Sequence, residues 1–340
     1  MSHVSAATAA RPAAAIIGAG LMGGWHASVA SQVGARIVAV VDADTGRAQG
    51  LAARYGAAAF SSVEAMLASV RPQVAHVCTP MATHVECCRA LLAAGADVLC
   101  EKPLAAAAAD VESLLETAAR DSRMVCPVHQ FVMQAGVQIV CARLDDIGSI
   151  RRVEFTFSSA GGGQRQGQEL DAVVADIMPH AFSVLCRLLP AQDPAALTWQ
   201  AVRAAPGELW AIAAADGVTV SLVFSMSSRP TEAAAVVVGQ RGTAHIDFFH
   251  GFAYLLDGEV SRTRKVLHPF TLATRHWTAA AANLAQRAWR REAAYPGLRP
   301  LVAAFYRAAA SRGPAPFSTA EIVNTYRARD ALLRCAGQVA

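Results

Sequence analysis

The sequence predicts an α/β protein of two domains: an N-terminal Rossmann-type, doubly wound parallel sheet and a C-terminal α+β domain with a largely antiparallel open sheet. The chain has 340 residues, 54% hydrophobic and 16% charged, enough apolar material for two cores. Short apolar runs alternate with helical patterns over the first 125 residues, and strand-like runs follow one another later. The predicted domains are residues 1–125 and 126–340.

In the N-terminal half, helix-length segments separate five short apolar runs. Because β-α-β units with short loops force parallel pairing and right-handed crossovers, helices should cover both faces of the sheet. Ligands of such sheets bind at the carboxyl ends of the strands. The predicted strands are Ala13 to Ile17, Arg36 to Val41, Val74 to Cys78, Val98 to Cys100 and Met124 to Val128.

The C-terminal half begins with one or two helices between Phe131 and Leu189. Asp216-Gly217 and Asp257-Gly258 are typical of hairpin turns, which favour antiparallel pairing. The predicted strands lie near 151–158, 197–204, 208–215, 217–227, 233–247 and 253–257, and the last helices near 277–292, 298–311 and 318–336.

The charge balance excludes several classes of partner. Thirty Lys and Arg face 26 Asp and Glu, a net charge of +4, without a long run of one sign. We therefore expect a small-molecule partner, with no nucleic acid and no membrane surface. The uncharged stretch 124–142 is too polar to cross a bilayer.

The cysteines and the N-terminus predict a cytoplasmic protein. The eight cysteines include no C-x-x-C pair, which favours reduced thiols over disulfides or zinc ligands. Arg11-Pro12 interrupts the apolar N-terminus before it reaches the length of a signal sequence. A zinc site from His76, Cys78 and His84 matches no usual spacing, so we expect no metal.

A glycine-rich turn, Gly18-Ala19-Gly20-Leu21-Met22-Gly23, follows the first predicted strand and opens a helix. In this context the first glycine permits the turn, the second lets the backbone approach a pyrophosphate, and the third allows close helix packing. Asp42 ends the second strand, where a carboxylate can bind both ribose hydroxyls. The pattern predicts NAD, with NADP possible if Arg47 folds over the adenosine. In the alternative, the glycines only make a turn and Asp42 only caps the next helix.

Lys102, Asp176 and His180 suit hydride-transfer chemistry. Oxidising an alcohol with nicotinamide also removes the hydroxyl proton, so an acid–base group must face the cofactor. His180 would exchange that proton, and Asp176, one helical turn earlier, would orient the imidazole. Lys102 follows a parallel strand and would polarise the oxygen. Pro179 fits a helix whose N-cap is Asp176.

Each of these residues has a purely structural alternative. Asp176 would then be only an N-cap, His180 a histidine at the edge of the core, and Lys102 a surface lysine before a proline. His84 is expected to shape a loop or the cofactor pocket rather than to carry protons.

Together, the glycine turn, Thr79-Pro80 with His84, Glu101-Lys102-Pro103 and the Asp176/His180 pair resemble the glucose-fructose oxidoreductase and inositol dehydrogenase family (Gfo/Idh/MocA). Members are mostly NAD(P)-dependent oxidoreductases of sugars and polyols, often dimers or tetramers. The resemblance implies a homodimer or homotetramer, with Lys102, Asp176 and His180 catalytic. It implies a cofactor site containing Gly18, Gly20, Gly23, Asp42, Thr79, Pro80 and Glu101.

Three features depart from the family pattern and leave the substrate open. Asp171-Ala172-Val173-Val174 replaces a glycine-rich lead-in, and Ser183 and Val184 stand where an acidic residue is common. Gln130-Phe131, preceded by His129, stands where an Arg-Phe pair is common in the family. His129 and Gln130 are candidate substrate contacts, although His129 could equally fill the hinge between the domains.

Two segments have open roles. Gly161-Gly162-Gly163 is a lid or substrate contact, or only a connector. The basic segment 262–277 would bind a phosphorylated or nucleotide-linked substrate, or would form a solvated rim or a subunit contact.

The predicted function is an NAD-dependent oxidoreductase that interconverts an alcohol and a ketone on a sugar, cyclitol or related polar metabolite. One alternative is reduction of a carbon–nitrogen double bond, since the same lysine and histidine could protonate an imine. The other is a non-catalytic nucleotide-binding sensor or partner subunit.

Overall fold

The computed structural model describes residues 11–159, 165–258, 262–292 and 294–337, with 262–264 described by their backbone alone. The Gly161–Gly163 loop lies outside this part of the chain. The chain forms two compact units, one running to Val128 and including Leu301–Ser318, the other comprising His129–Pro300 and the chain from Thr319. The sequence placed the boundary after residue 125 and did not anticipate that a C-terminal segment returns to the first unit.

The first unit contains a six-stranded sheet in the order β3-β2-β1-β4-β5-β6, and all of its strand pairs are parallel. Its strands are β1 (Ala13–Ile17), β2 (Arg36–Val41), β3 (Ala58–Phe60), β4 (Val74–Val77), β5 (Asp97–Cys100) and β6 (Val125–Pro127). The strand order reverses direction between β1 and β4, the place where α/β sheets bind ligands.

Helices connect these strands as the β-α-β pattern predicts. They are α1 (Leu21–Gln32), α2 (Thr45–Ala53), α3 (Val63–Leu67), α4 (His84–Ala93) and α5 (Ala108–Arg120). Strands β4 and β5 are buried along their whole length, as expected in the centre of a parallel sheet. Strand β3 was not predicted, because it has only three residues and two of them are exposed.

The second unit contains a seven-stranded sheet in the order β13-β12-β11-β7-β10-β9-β8. Only the pair of β7 with β10 is parallel, so the predicted fold class is confirmed. Its strands are β7 (Ile150–Ser158), β8 (Trp199–Ala205), β9 (Glu208–Ala215), β10 (Val218–Ser225), β11 (Glu232–Gly239), β12 (Gly242–Asp247) and β13 (Phe252–Asp257). The single strand predicted over 233–247 is wrong, because Gln240 and Arg241 form a turn between β11 and β12.

The helices that follow β6 are α6 (Ala135–Ala142), α7 (Leu144–Ile147), α8 (Gln168–Leu188), α9 (Arg262–Arg290), α10 (Leu298–Ser311) and α11 (Thr319–Cys335). The prediction that Asp176 is an N-cap is wrong, because Gly167 precedes α8 and Pro179 lies in its interior. Val174 and Met178 are fully buried four residues apart, so a buried face already runs through the segment before the proline.

Helix α9 begins fifteen residues before the predicted start at 277 and turns large apolar side chains outward. Val266, Phe270, Trp277 and Leu284 are 75%, 71%, 70% and 70% exposed. On the side that faces β13, the His276 ring lies against Phe252 and Tyr254. Among the residues that the structure describes, no helix is both long and apolar enough to cross a membrane.

Candidate functional site

The glycine turn between β1 and α1 has no room for side chains at two of its three glycines. Gly18 has a positive φ of +96°, and a Cβ there would lie 2.7 Å from the carbonyl oxygen of Cys78. A Cβ on Gly23 would overlap the carbonyl oxygen of Gly18. Gly20 differs, since its φ of −74° is ordinary and no atom lies within 4 Å of a Cβ built on it. The first and third glycines are therefore required by the fold, whereas Gly20 faces open space.

Asp42 fixes the conformation of this turn. Its Oδ2 accepts a hydrogen bond from the backbone N–H of Ala19 at 2.7 Å, and its Oδ1 accepts one from Asp44 N–H at 2.9 Å. The N-cap of α2 is Asp44, whose side chain accepts from the N–H of Arg47. The alternative in which Asp42 only caps the next helix is therefore wrong.

A cavity of about 490 Å³ lies beside the glycine turn. The first residues of α1 and one side of α2 line it, and the set is Ala19, Gly20, Leu21, Gly24, Trp25, Ser28, Arg47, Gly50, Leu51 and Arg54. Arg47 pairs with Asp44 at 3.3 Å and is about two-thirds exposed. A helix N-terminus with open backbone beside such a cavity fits the pyrophosphate of a dinucleotide.

His84 connects the loops that follow β4 and β5. Its ring is buried, with Nδ1 2.9 Å from the carbonyl oxygen of Pro103 and Nε2 2.8 Å from that of Thr79. The Thr83 hydroxyl is shared between two acceptors, Thr79 Oγ1 at 2.8 Å and the carbonyl oxygen of Pro80 at 3.0 Å. Thr79, Pro80 and His84 therefore belong to one hydrogen-bonded group, which reaches the loop after β5 at Pro103.

Glu101 is buried directly before Lys102. Its Oε1 lies 3.1 Å from His26 Nε2, and its Oε2 accepts the backbone N–H of Lys102 at 3.1 Å. Burial alone raises the pKa of Glu101, but the hydrogen bond from His26 and the nearby Lys102 outweigh it and hold the pKa below its ordinary value. Of the 30 Lys and Arg residues only Lys102 and Lys265 are lysine. The chain thus places a compact ammonium, rather than the usual guanidinium, at the end of β5.

In the second unit, α8 carries both Asp176 and His180. Asp176 is exposed and His180 is 7% exposed. The imidazole stacks on Phe131, with ring centroids 4.1 Å apart and an interplanar angle of 13°. Phe131 in turn stacks on Phe248 at 5.0 Å. Sequence reasoning named Phe131 only as part of a motif and missed Phe248, which comes from a distant segment without a local signal.

His129 and Gln130 are both buried, at 1% and 8% exposure. The His129 ring lies 5.8 Å from the ring of Tyr326 within the same unit. Asp171, in the unusual lead-in, accepts two hydrogen bonds from Arg203 at 3.1 and 2.6 Å and one from Gly207 N–H at 2.9 Å. The acidic lead-in residue thus anchors α8 to the strands.

The predicted catalytic residues belong to different units: Lys102 to the first, Asp176 and His180 to the second. Their meeting at a nicotinamide ring stays a prediction. Within the described ranges, no group of three or more His, Cys, Asp or Glu side chains is arranged to hold a metal ion. All eight cysteines are free thiols.

Comparison with known proteins agrees with this geometry. Residues 13–129 match a family model described as an oxidoreductase family with an NAD-binding Rossmann fold. An inositol 2-dehydrogenase from Rubrobacter xylanophilus is 40% identical over 108 residues, which is 31% of this chain and 31% of the relative. A D-glucoside 3-dehydrogenase from Escherichia coli is 38% identical over 117 residues, 34% of this chain and 33% of the relative. The matched segments thus span about a third of these relatives.

The likeness of fold extends over nearly the whole chain. A levoglucosan dehydrogenase, solved in complex with NADH and levoglucosan, aligns with a TM-score of 0.78 over 96% of this chain and 98% of its own, at 16% identity. At this identity, the match shows a shared fold.

Proposed function

We propose that the chain is an NAD-dependent dehydrogenase of a sugar or cyclitol alcohol, because residues 13–129 match the Gfo/Idh/MocA oxidoreductase family with an NAD-binding Rossmann fold. The observation that carries the proposal is the glycine turn at the N-terminus of α1, where Gly20 leaves open backbone and Asp42 holds Ala19. The named relatives act on inositol and glucosides, which supports the substrate class.

The residues of the glycine turn and of the loops after β2, β4 and β5 would hold the dinucleotide. Backbone N–H groups at the N-terminus of α1 would bind the pyrophosphate, and Asp42 would face the adenosine ribose. The nicotinamide ring supplies the hydride acceptor when bound. The proposed set is Gly18, Gly20, Leu21, Met22, Gly23, Asp42, Thr79, Pro80, His84 and Glu101.

Three side chains would handle the proton and charge of the alcohol. His180 would take the hydroxyl proton, and stacking on Phe131 restrains the plane of its ring. Asp176, one turn earlier on α8, would orient the imidazole. Lys102 would stabilise negative charge on the substrate oxygen as its proton leaves. His129 and Gln130 are proposed substrate contacts.

The test is NAD⁺ reduction, followed by absorbance, with a panel of inositols and glucosides. His180→Ala and Lys102→Ala should each lower kcat by about 10²-fold or more, the usual contribution of an acid–base or electrostatic group. His268→Ala and Lys265→Ala are matched controls, because they remove the same residue types from exposed positions on α9.

Three outcomes would refute the proposal. Turnover of cyclic imines without any polyol would instead support an imine reductase. NADH binding with no turnover would support a nucleotide-binding sensor. Equal activity in the His180→Ala and His268→Ala variants would show that His180 is not the acid–base residue.

We also propose that the protein is a cytoplasmic homodimer or homotetramer. The outward apolar side of α9 supports subunit contact, because contiguous exposed apolar surface on a folded unit commonly marks an interface. The free thiols support a reducing compartment.

A further inference from the structure

The core of the first unit contains an unusual chain of buried polar side chains. The hydroxyl of Tyr306 on α10 lies 2.7 Å from His76 Nε2, and His76 Nδ1 lies 2.8 Å from His26 Nδ1. His26 Nε2 then reaches Glu101 Oε1 at 3.1 Å, and Glu101 Oε2 accepts the N–H of Lys102. Both histidines are completely buried. The chain therefore runs from the interior to the backbone of Lys102.

The three side-chain hydrogen bonds can all be assigned with the donor on the Tyr306 side and the acceptor on the Glu101 side. We assign the Tyr306 hydroxyl as the donor to His76 Nε2, because His76 is its only hydrogen-bond partner among the described residues and the hydroxyl proton would otherwise have no acceptor there. His76 then carries its proton on Nδ1 and donates it to His26 Nδ1. His26 carries its own proton on Nε2 and donates it to Glu101. Every donor has an acceptor, and all the bonds point toward the carboxylate.

The ionisation tendencies agree with this assignment. Burial lowers the pKa of His76 well below its ordinary value, which favours the neutral ring. Burial raises the pKa of Tyr306, which keeps the hydroxyl protonated. Shifting all three protons along these bonds toward Glu101 would leave a buried phenolate at Tyr306, so the chain does not deliver a proton to Glu101. Its role is to hold the carboxylate in place.

Fold stability alone does not account for these residues. Each buried polar side chain carries a desolvation cost that its hydrogen bonds only offset, and an apolar replacement of the whole chain would be about as stable. What an apolar core would not supply is a fixed acceptor for the N–H of Lys102.

We propose that Tyr306, His76 and His26 are positioning residues that hold Glu101 against the Lys102 backbone and so set the position of the Lys102 side chain. The functional part of this inference rests on the proposed dehydrogenase activity. The structural part does not.

The test compares two replacements of His76. In His76→Asn the amide nitrogen takes the place of Nδ1 and still donates to His26, whereas His76→Leu fills the same region without a donor. The His76→Leu variant should have a kcat about tenfold below wild type, the factor equivalent to one net hydrogen bond of about 1.4 kcal/mol, and an unchanged KM for NAD⁺. Asn should stay within about threefold of wild type, and Tyr306→Phe should fall between the two.

A second measurement needs no substrate. In a Lys265→Arg background Lys102 is the only lysine, so trinitrobenzenesulfonate labels one side-chain amine. His76→Leu should change the rate of this labelling by about threefold or more, because a displaced Glu101 no longer holds the Lys102 backbone and the amine takes a new position, while His76→Asn should not. The α-amino group is counted separately by peptide mapping.

The two measurements separate the possible failures. Altered labelling in His76→Leu alone, with no polyol oxidised by the wild-type protein, would support the positioning chain and refute the dehydrogenase. Polyol oxidation with equal kcat and labelling in wild type, Asn and Leu would refute the chain. Equal impairment of Asn and Leu would also refute it, because filling of the core rather than hydrogen bonding would then explain the loss.

Discussion

Replacing Gly20 by alanine tests whether this glycine is required for ligand binding rather than for folding. The added methyl group meets no atom within 4 Å, and the φ of −74° suits alanine. The free protein should still fold, with the free energy of unfolding lowered by no more than about 1 kcal/mol, because Gly20 is the N-cap of α1 and alanine caps a helix less well than glycine. Any strong effect of the substitution must come from something that binds in the open space.

The expected loss of NADH affinity follows from crowding. A methyl group placed where a pyrophosphate contacts the backbone costs about 1–3 kcal/mol, as overpacking does in a protein core. The Kd for NADH should therefore rise about tenfold to a hundredfold. Gly18→Ala is the matched comparison: its positive φ costs about 1–2 kcal/mol, and the Cβ contact with Cys78 adds to this. Gly18→Ala should destabilise the fold itself.

Urea unfolding followed by circular dichroism measures the stability, and NADH fluorescence titration measures the affinity. For Gly20→Ala we expect a slightly lowered urea midpoint with strongly weakened NADH binding, and for Gly18→Ala a much lower midpoint. Tight NADH binding by Gly20→Ala would show that the pyrophosphate does not lie against this turn. Unfolding of Gly20→Ala would show that the space around the glycine is not open.

Three further perturbations test other parts of the molecule. Asp42→Ala should raise the ratio of NADPH to NADH affinity at least about tenfold, as fluorescence titration would show, whereas Glu116→Ala removes an equal charge from an exposed position on α5 and should leave the ratio near wild type. Burial raises the carboxyl pKa of Glu101, but its partners outweigh burial and hold the pKa below its ordinary value, so the ionised carboxylate stabilises the fold above the ordinary glutamate pKa. This stabilisation is lost as the pH falls through the lowered pKa. The unfolding free energies of wild type and Glu101→Gln, measured in urea titrations, should therefore converge towards acid pH. Phe270→Glu and Trp277→Glu should shift the protein to a smaller species in light scattering, and an unchanged mass would exclude this side of α9 as the subunit contact.

The sequence predicts the two sheets and the glycine turn because these depend on local patterns. Apolar runs of strand length, turn dipeptides and the G-x-G-x-x-G spacing each act over a few residues. The start of α8 was misplaced for a related reason: Pro179 is a strong local signal, but buried contacts of Val174 and Met178 extend the helix before it. Tertiary packing decided that boundary.

The roles of Asp42 and His76 could not be predicted from spacing. Asp42 is predicted to face a ribose, which stays a prediction, whereas the hydrogen bond by which it fixes the glycine turn through Ala19 appears only in the structure. His76 was visible as a polar residue in a strand, yet its partners His26 and Tyr306 lie 50 and 230 positions away. Only the fold brings such residues together, so a buried network leaves no periodic signal in the sequence.

The E-K-P segment is held from both sides. The buried chain fixes Glu101, which accepts the N–H of Lys102. On the other side, His84 contacts the carbonyl oxygen of Pro103 and that of Thr79 in the neighbouring loop. Two independent histidine contacts thus restrain the backbone on either side of one lysine. A site that must place an ammonium within about 0.5 Å needs such support behind it. With the backbone held at Glu101 and at Pro103, the Lys102 side chain starts from a fixed point, which limits where its ammonium can lie.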